Sequence, residues 1–256
     1  MSLYVVKLTD TDVAEDALSR IRLSTDESTS DDFGNLAIKV QIEDEEGNLH
    51  PLIVEAPWMK AQFGVSSFEV SGKNGNSYFK HKLPVIFHEY DSDKKQKAYI
   101  TFCEGFDKMI VDAGCEHSGE WLQMDDASKE VVTAFYNPHM TYSKDPKTGK
   151  RSTKYPQPKL QYKLPSFKND EEGAPDNFST RAFNEKSEPL KDLTKDISRG
   201  AIVKNLVECT GIWVVNKKFG TGWRSLQMKV KNPALRNAYM FEEDSDAEDG
   251  DAEAKA

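Results

Sequence analysis

Residues 199–230 read RGAIVKNLVECTGIWVVNKKFGTGWRSLQMKV. Two apolar, β-branched runs flank Lys217, Lys218, Phe219, Gly220, Thr221 and Gly222, which predicts a long β-hairpin with a basic, glycine-opened tip. Side chains alternate along a strand, so Leu226, Met228 and Val230 should share one face, and Trp223, Ser225, Gln227 and Lys229 the other. A tryptophan on the polar face admits two readings. It is either a rim aromatic folded over by a loop or a stacking platform beside a cationic loop, the combination that holds single-stranded nucleic acid.

Working outward, a second stretch has the same character. Residues 139–167, HMTYSKDPKTGKRSTKYPQPKLQYKLPSF, are broken by Asp145, Pro146, Lys147, Thr148 and Gly149 into two extended arms, and Pro156 and Pro158 keep the second arm from a central strand position. The expected projecting hairpin carries Lys144, Lys147, Lys150, Arg151 and Lys154 beside Tyr142 and Tyr155. Leu160, Tyr162 and Leu164 should face the core, with Lys159, Gln161 and Lys163 opposite.

Charge is segregated along the chain. The net charge is −9, but residues 242–256 hold eight acids against Lys255, and without that −7 the remainder is −2. Residues 138–168 and 199–236 each carry eight basic residues and one acid, whereas the first 46 residues hold twelve acids and four bases. Net charge alone would argue against a polyanion partner, and this distribution reverses that inference.

The remaining pattern is rich in short strands. Residues 4–8, 36–42, 49–54, 63–70 and 83–87 read as strands, with turns at Glu46, Gly47, Asn48 and at Lys73, Asn74, Gly75, Asn76. Phe63, Val65 and Phe68 are expected to be partly buried, and residues 24–32 to form a solvated acidic loop. Val13, Ala14, Ala17, Leu18 and Ile21 fall at helical spacing after Asp12. Residues 94–114 make the best helix, with Tyr99, Phe102, Cys103, Phe106 and Ile110 on one stripe and Gly114 suited to its end. Residues 127–136 fit helix or strand, and a short helix fits residues 190–197. The predicted class is mainly β with minor α: an OB-like barrel with long hairpin insertions and one amphipathic helix, spanning residues 1–241, followed by a disordered acidic tail at 242–256.

Three scattered cysteines, Cys103, Cys115 and Cys209, do not suggest a disulfide framework, and no motif places ligands for a metal. His81 and His88 read as surface or edge histidines. No phosphate-binding loop, nucleophile elbow or zinc-protease helix occurs, so no catalytic residue and no cofactor is assigned and the chain is read as a non-enzyme. Without a signal-like or membrane-length apolar run, a soluble intracellular location in a reducing compartment is expected.

The arrangement GIWVVNKKFGTGWRSLQMKV, with a tryptophan-bearing strand, a basic glycine turn, a Trp-x-x-x-Gln strand and an acidic tail beyond, resembles the single-stranded DNA-binding proteins of large nucleocytoplasmic DNA viruses and some bacteriophages. That resemblance implies DNA replication, recombination and repair, at the site of viral replication, with Trp213, Lys217, Lys218, Trp223 and Arg224 near the binding groove. The full expected set adds Phe219, Lys229 and the 139–167 residues Tyr142, Lys144, Lys147, Lys150, Arg151, Lys154 and Tyr155. Single-stranded DNA is the expected partner, with replication proteins engaged through the tail and self-association left open. The alternative is a viral structural or scaffold protein whose basic hairpins meet an acidic protein surface.

Overall fold

Five strands define the architecture: Met59–Ala61 (β1), Ser77–Ile86 (β2), Pro158–Leu164 (β3), Ile202–Val215 (β4) and Lys218–Lys231 (β5). Strand β1 pairs with β2 through Ala61 and Val85 and with β4 through Met59 and Val203. Strand β2 pairs antiparallel with β3, β3 lies parallel to β5 where Lys163 meets Arg224, and β5 returns along β4. Every neighbour relation closes on the next, so the spatial order 1-2-3-5-4 is a five-stranded barrel of the OB type. The structure, a computed structural model, describes residues 3–30, 35–71, 77–167 and 176–233. The turn expected at 73–76, residues 239–241 and the acidic tail lie outside them.

The N-terminal third widens the barrel wall. Strands Leu36–Glu43 and Ile53–Glu55 both pair with β4, and Gly47, at φ +85°, turns the first of them into Leu49–Pro51 as its sequence predicts. The acidic stretch expected to be a loop is instead strand Ile21–Ser30, paired with Leu36–Glu43 across an irregularity between Ser24 and Thr29. An apolar-poor edge strand is tolerated there because only one side needs a partner.

Two bulges explain why simple alternation fails in the long hairpin. Leu206 pairs with Gln227 but Val207 with Ser225, leaving Leu226 without an opposite; Cys209 pairs with Trp223 but Gly211 with Gly222, leaving Thr210 without one. Each extra residue flips the faces beyond it. In β5 the buried set therefore runs Phe219, Trp223 and Ser225, then changes parity to Met228 and Val230. Trp223 does not share a face with Lys229, as strict alternation required. The tip is also shorter than expected. Asn216 and Lys217, at φ 50° and 63°, form a two-residue turn of the I′ kind, while Phe219, Gly220, Thr221 and Gly222 belong to β5.

Two helices pack beside the barrel. Thr11–Ser19 (α1) is capped by Asp10, whose carboxylate accepts from the Val13 amide. Lys94–Glu116 (α2) is capped by Asp93, and its predicted stripe of Tyr99, Phe102, Cys103, Phe106 and Ile110 is buried throughout. Gly114 does not end α2. A Cβ there would lie 2.7 Å from the Phe219 ring, so the glycine makes room for β5. Residues 129–135 resolve their ambiguity as helix Lys129–Phe135, and Leu193–Asp196 is the short helix of the later loop.

Candidate nucleic-acid interface

Strands β3 and β5 touch at one register pair and then splay, opening a groove of about 690 Å³. Its wall on β2 and β3 carries Lys82, Pro84, Lys159, Gln161 and Lys163; its opposite wall carries Trp213 and Val215 near the β4–β5 tip. Thr141, at the root of the 139–158 hairpin, pairs with Lys159 and lines the same groove. The two basic hairpins therefore flank one channel.

Pleating fixes which side chains reach it. Pro158, Leu160, Tyr162 and Leu164 are buried, as alternation predicts, so Lys159, Gln161 and Lys163 point outward. Lys163 lies opposite Lys82 in register, and Lys80 is two residues on along the same face. The Lys163 ammonium is held below its ordinary range by partial burial and then by the charges of Lys80 and Lys82. Among the described residues none of the three forms an ion pair. Three like charges without a carboxylate partner form a site of high positive potential that an anion relieves.

Trp213 is the aromatic counterpart. The bulge at Thr210 turns it outward, opposite Gly220, and a Cβ on Gly220 would stand 2.9 Å from the indole Cζ2. The missing side chain lets the ring lie close to the sheet. It is partly exposed at the groove wall.

Trp223 lies beneath, 2 % exposed, its indole N–H donating to Thr221 Oγ1 at 3.1 Å. It is wedged between Phe106, edge-on at 5.5 Å, and His139, stacked at 4.7 Å and 20°. Burial pushes His139 down to about 3, and its buried Nε2 has no hydrogen-bond partner among the described residues. The loop that carries it is latched to α2 by Asp107, which accepts from Tyr136 Oη and from the His139 and Met140 amides.

Several expected residues are placed otherwise. Phe219 is fully buried against Trp121 and Tyr136, because its side of β5 faces α2; it offers no open platform, and neither does Trp223. Tyr142 is held by the Arg151 guanidinium 3.7 Å over its ring and by its hydroxyl donating to Glu104, which also raises it to about 12 through burial and that bond. Arg151 in turn donates to the Pro156 carbonyl at 2.6 Å. Arg224 is neutralised by Glu208, with contacts of 2.8 and 2.7 Å. Lys229 lies about 30 Å along β5 from Gly220, in a separate cleft with Lys204 and Glu55. Lys144, Lys147, Lys150, Lys154 and Tyr155 are exposed on the projecting hairpin, and Lys217 and Lys218 at the tip.

Sequence reasoning missed Lys80, Lys82 and His139, and left Lys159 and Lys163 out of the site. The signal was the period-two run Tyr78, Lys80, Lys82, which one-residue alternation places on a single face. His81, expected at the surface, is instead buried on the other face, bonded at 2.8 Å to both Ser67 and Asp176. Phe63 and Phe68 are exposed rather than partly buried.

The geometry can be set beside known proteins. Residues 94–244 match the model of a family of unknown function, DUF5871, and the chain belongs to that family. Among solved structures it is similar to the single-stranded DNA-binding protein from bacteriophage Enc34 in complex with ssDNA, at 9 % identity and TM-score 0.34 over 80 % of this chain and 94 % of that one. It is likewise similar to gp2.5, a single-stranded DNA binding protein encoded by bacteriophage T7, at 10 % identity and TM-score 0.39 over 76 % and 97 %. No curated protein matches. Among the described residues no helix is long and apolar enough to cross a membrane, and no three metal-ligating side chains gather.

Proposed function

We propose that this chain binds single-stranded DNA, with little regard to sequence, in the groove between β3 and the β4–β5 hairpin. The observation that carries this reading is the pairing of Lys82 with Lys163 opposite the partly exposed Trp213, with Lys80 next along the same face and no carboxylate partner for any of the three among the described residues. Phosphates neutralise the lysines and release condensed counterions, while a base stacks on the indole, a contact worth about 1–3 kcal/mol. The exposed lysines of the two flanking hairpins extend the positive field to both rims. An unpaired strand presents the ring faces that such a groove needs, whereas a duplex hides them.

Residues 1–241 form the binding domain in this reading, and residues 242–256 a competing polyanion that occupies the basic groove until DNA displaces it and then engages replication proteins. The protein serves viral DNA replication, recombination and repair at the site of that replication. The test is a titration of intrinsic tryptophan fluorescence with oligothymidine. Quenching that weakens with salt and resists competition by duplex supports the groove. Absence of both quenching and retention on single-stranded DNA, in the full chain and after truncation at Phe241, rejects it in favour of a scaffold that meets an acidic protein surface.

A further inference from the structure

Beyond the groove, strand Ser66–Ser71 and the first half of β2 leave the barrel as a two-stranded ribbon, in which Ser77, Tyr78, Phe79 and Lys80 are all exposed. Its register sorts the side chains into two faces. Ser66 pairs with Lys82, Phe68 with Lys80 and Val70 with Tyr78; Ser67 pairs with His81, Glu69 with Phe79 and Ser71 with Ser77. The first face carries two lysines and no acid. The second carries Glu69 and leads through His81 into the barrel interior.

The cationic face is continuous with the groove, because Lys82 stands opposite Lys163 across β2 and β3 and both point outward. On it each lysine rests over an aromatic ring, Lys82 at 4.9 Å from the centre of Phe68 and Lys80 at 5.7 Å from that of Tyr78. Phe68 is 38 % exposed and Tyr78 45 %. Among the described residues nothing covers either ring, and each ring with its ammonium offers a stacking face beside a phosphate contact.

We infer that this ribbon face is a second limb of the nucleic-acid site, where Phe68 and Tyr78 take the bases of a strand that leaves the groove past Lys163. The inference rests on the proposed groove. It assigns the ribbon a share of the binding that depends on ligand length: short strands are held by the groove, and only longer ones reach Phe68 and Tyr78.

The experiment compares oligothymidines of about six and about twenty nucleotides, one near the short end of the usual footprint of such a barrel and one beyond it. The double variant Phe68→Ala, Tyr78→Ala should bind the long strand at least about tenfold more weakly and the short strand within about twofold of the wild type, because two stacking contacts are lost from the long strand alone. Trp213→Ala should weaken both lengths. Equal weakening of both lengths by the ribbon variant, or none, overturns the second limb and leaves the groove standing. A wild-type chain that binds neither length overturns both. Melting curves check that the ribbon variant folds; if it does not, Phe68→Leu with Tyr78→Leu repeats the length comparison with the apolar surface kept and the groove lysines untouched.

Discussion

Trp213 and Trp223 are ten residues apart in one hairpin and do opposite work. The first rests on Gly220 at the groove wall; the second fills space between Phe106 and His139. Trp213→Ala should therefore lose affinity for oligothymidine by about 1–3 kcal/mol with an unchanged melting temperature. Trp223→Ala should instead cost about 3–5 kcal/mol of stability, read by urea denaturation. His139 adds a pH dependence. Its folded value is pushed down to about 3 by burial, so between about 6.5 and 3 the unfolded chain binds more protons and stability falls as pH falls. Asp107, raised by burial, acts in the opposite sense, so the difference between wild type and His139→Gln isolates the histidine. That difference should shrink as the pH drops from 7.5 to 5, by up to about 1.4 kcal/mol per pH unit.

At the scale of elements, the β4–β5 turn is the simplest to test. Lys217 holds φ 63°, a conformation that costs a side-chain-bearing residue about 1 kcal/mol and glycine little. Lys217→Gly, which makes the turn Asn-Gly, should raise the melting temperature by a few degrees. The hairpin itself, α2 and the core face of β3 were legible because each repeats a period over many residues: Tyr162 between Leu160 and Leu164, Phe102 and Phe106 along a helix. The faces of β5 were not legible. The bulges at Thr210 and Leu226 are set by pairing with a distant partner strand, and one inserted residue moves Trp223 from a presumed surface to the interior. Phe219 failed for the same reason. Whether a cation is paired was equally invisible, since Arg224 finds Glu208 sixteen residues away across the ladder while Lys163, among the described residues, meets the charges of Lys80 and Lys82.

For the whole molecule, the prediction concerns salt. If Lys82 and Lys163 each neutralise one phosphate, the variant Lys82→Gln, Lys163→Gln should flatten the slope of log affinity against log salt by about 1.4, at about 0.7 per contact for a single strand. The same change at Lys229, in its separate cleft, should leave the slope alone. Truncation at Phe241 should tighten binding at low salt and have a diminishing effect as salt rises, because a tethered polyanion competes through the same screened field. Unchanged affinity would remove the tail from the mechanism without touching the groove.

The closing of the barrel carries a last consequence, for how the protein comes into being. Lys60 meets Ile202, 142 residues later, and the two strands that knit the wall together are the final ones described. While the ribosome is still making residues 1–200, Leu36–Glu43, Ile53–Glu55 and β1 have edges whose mates do not yet exist. Folding is therefore a late event, completed only after β5 has emerged, and the nascent chain spends its synthesis with open edges that call for chaperone cover.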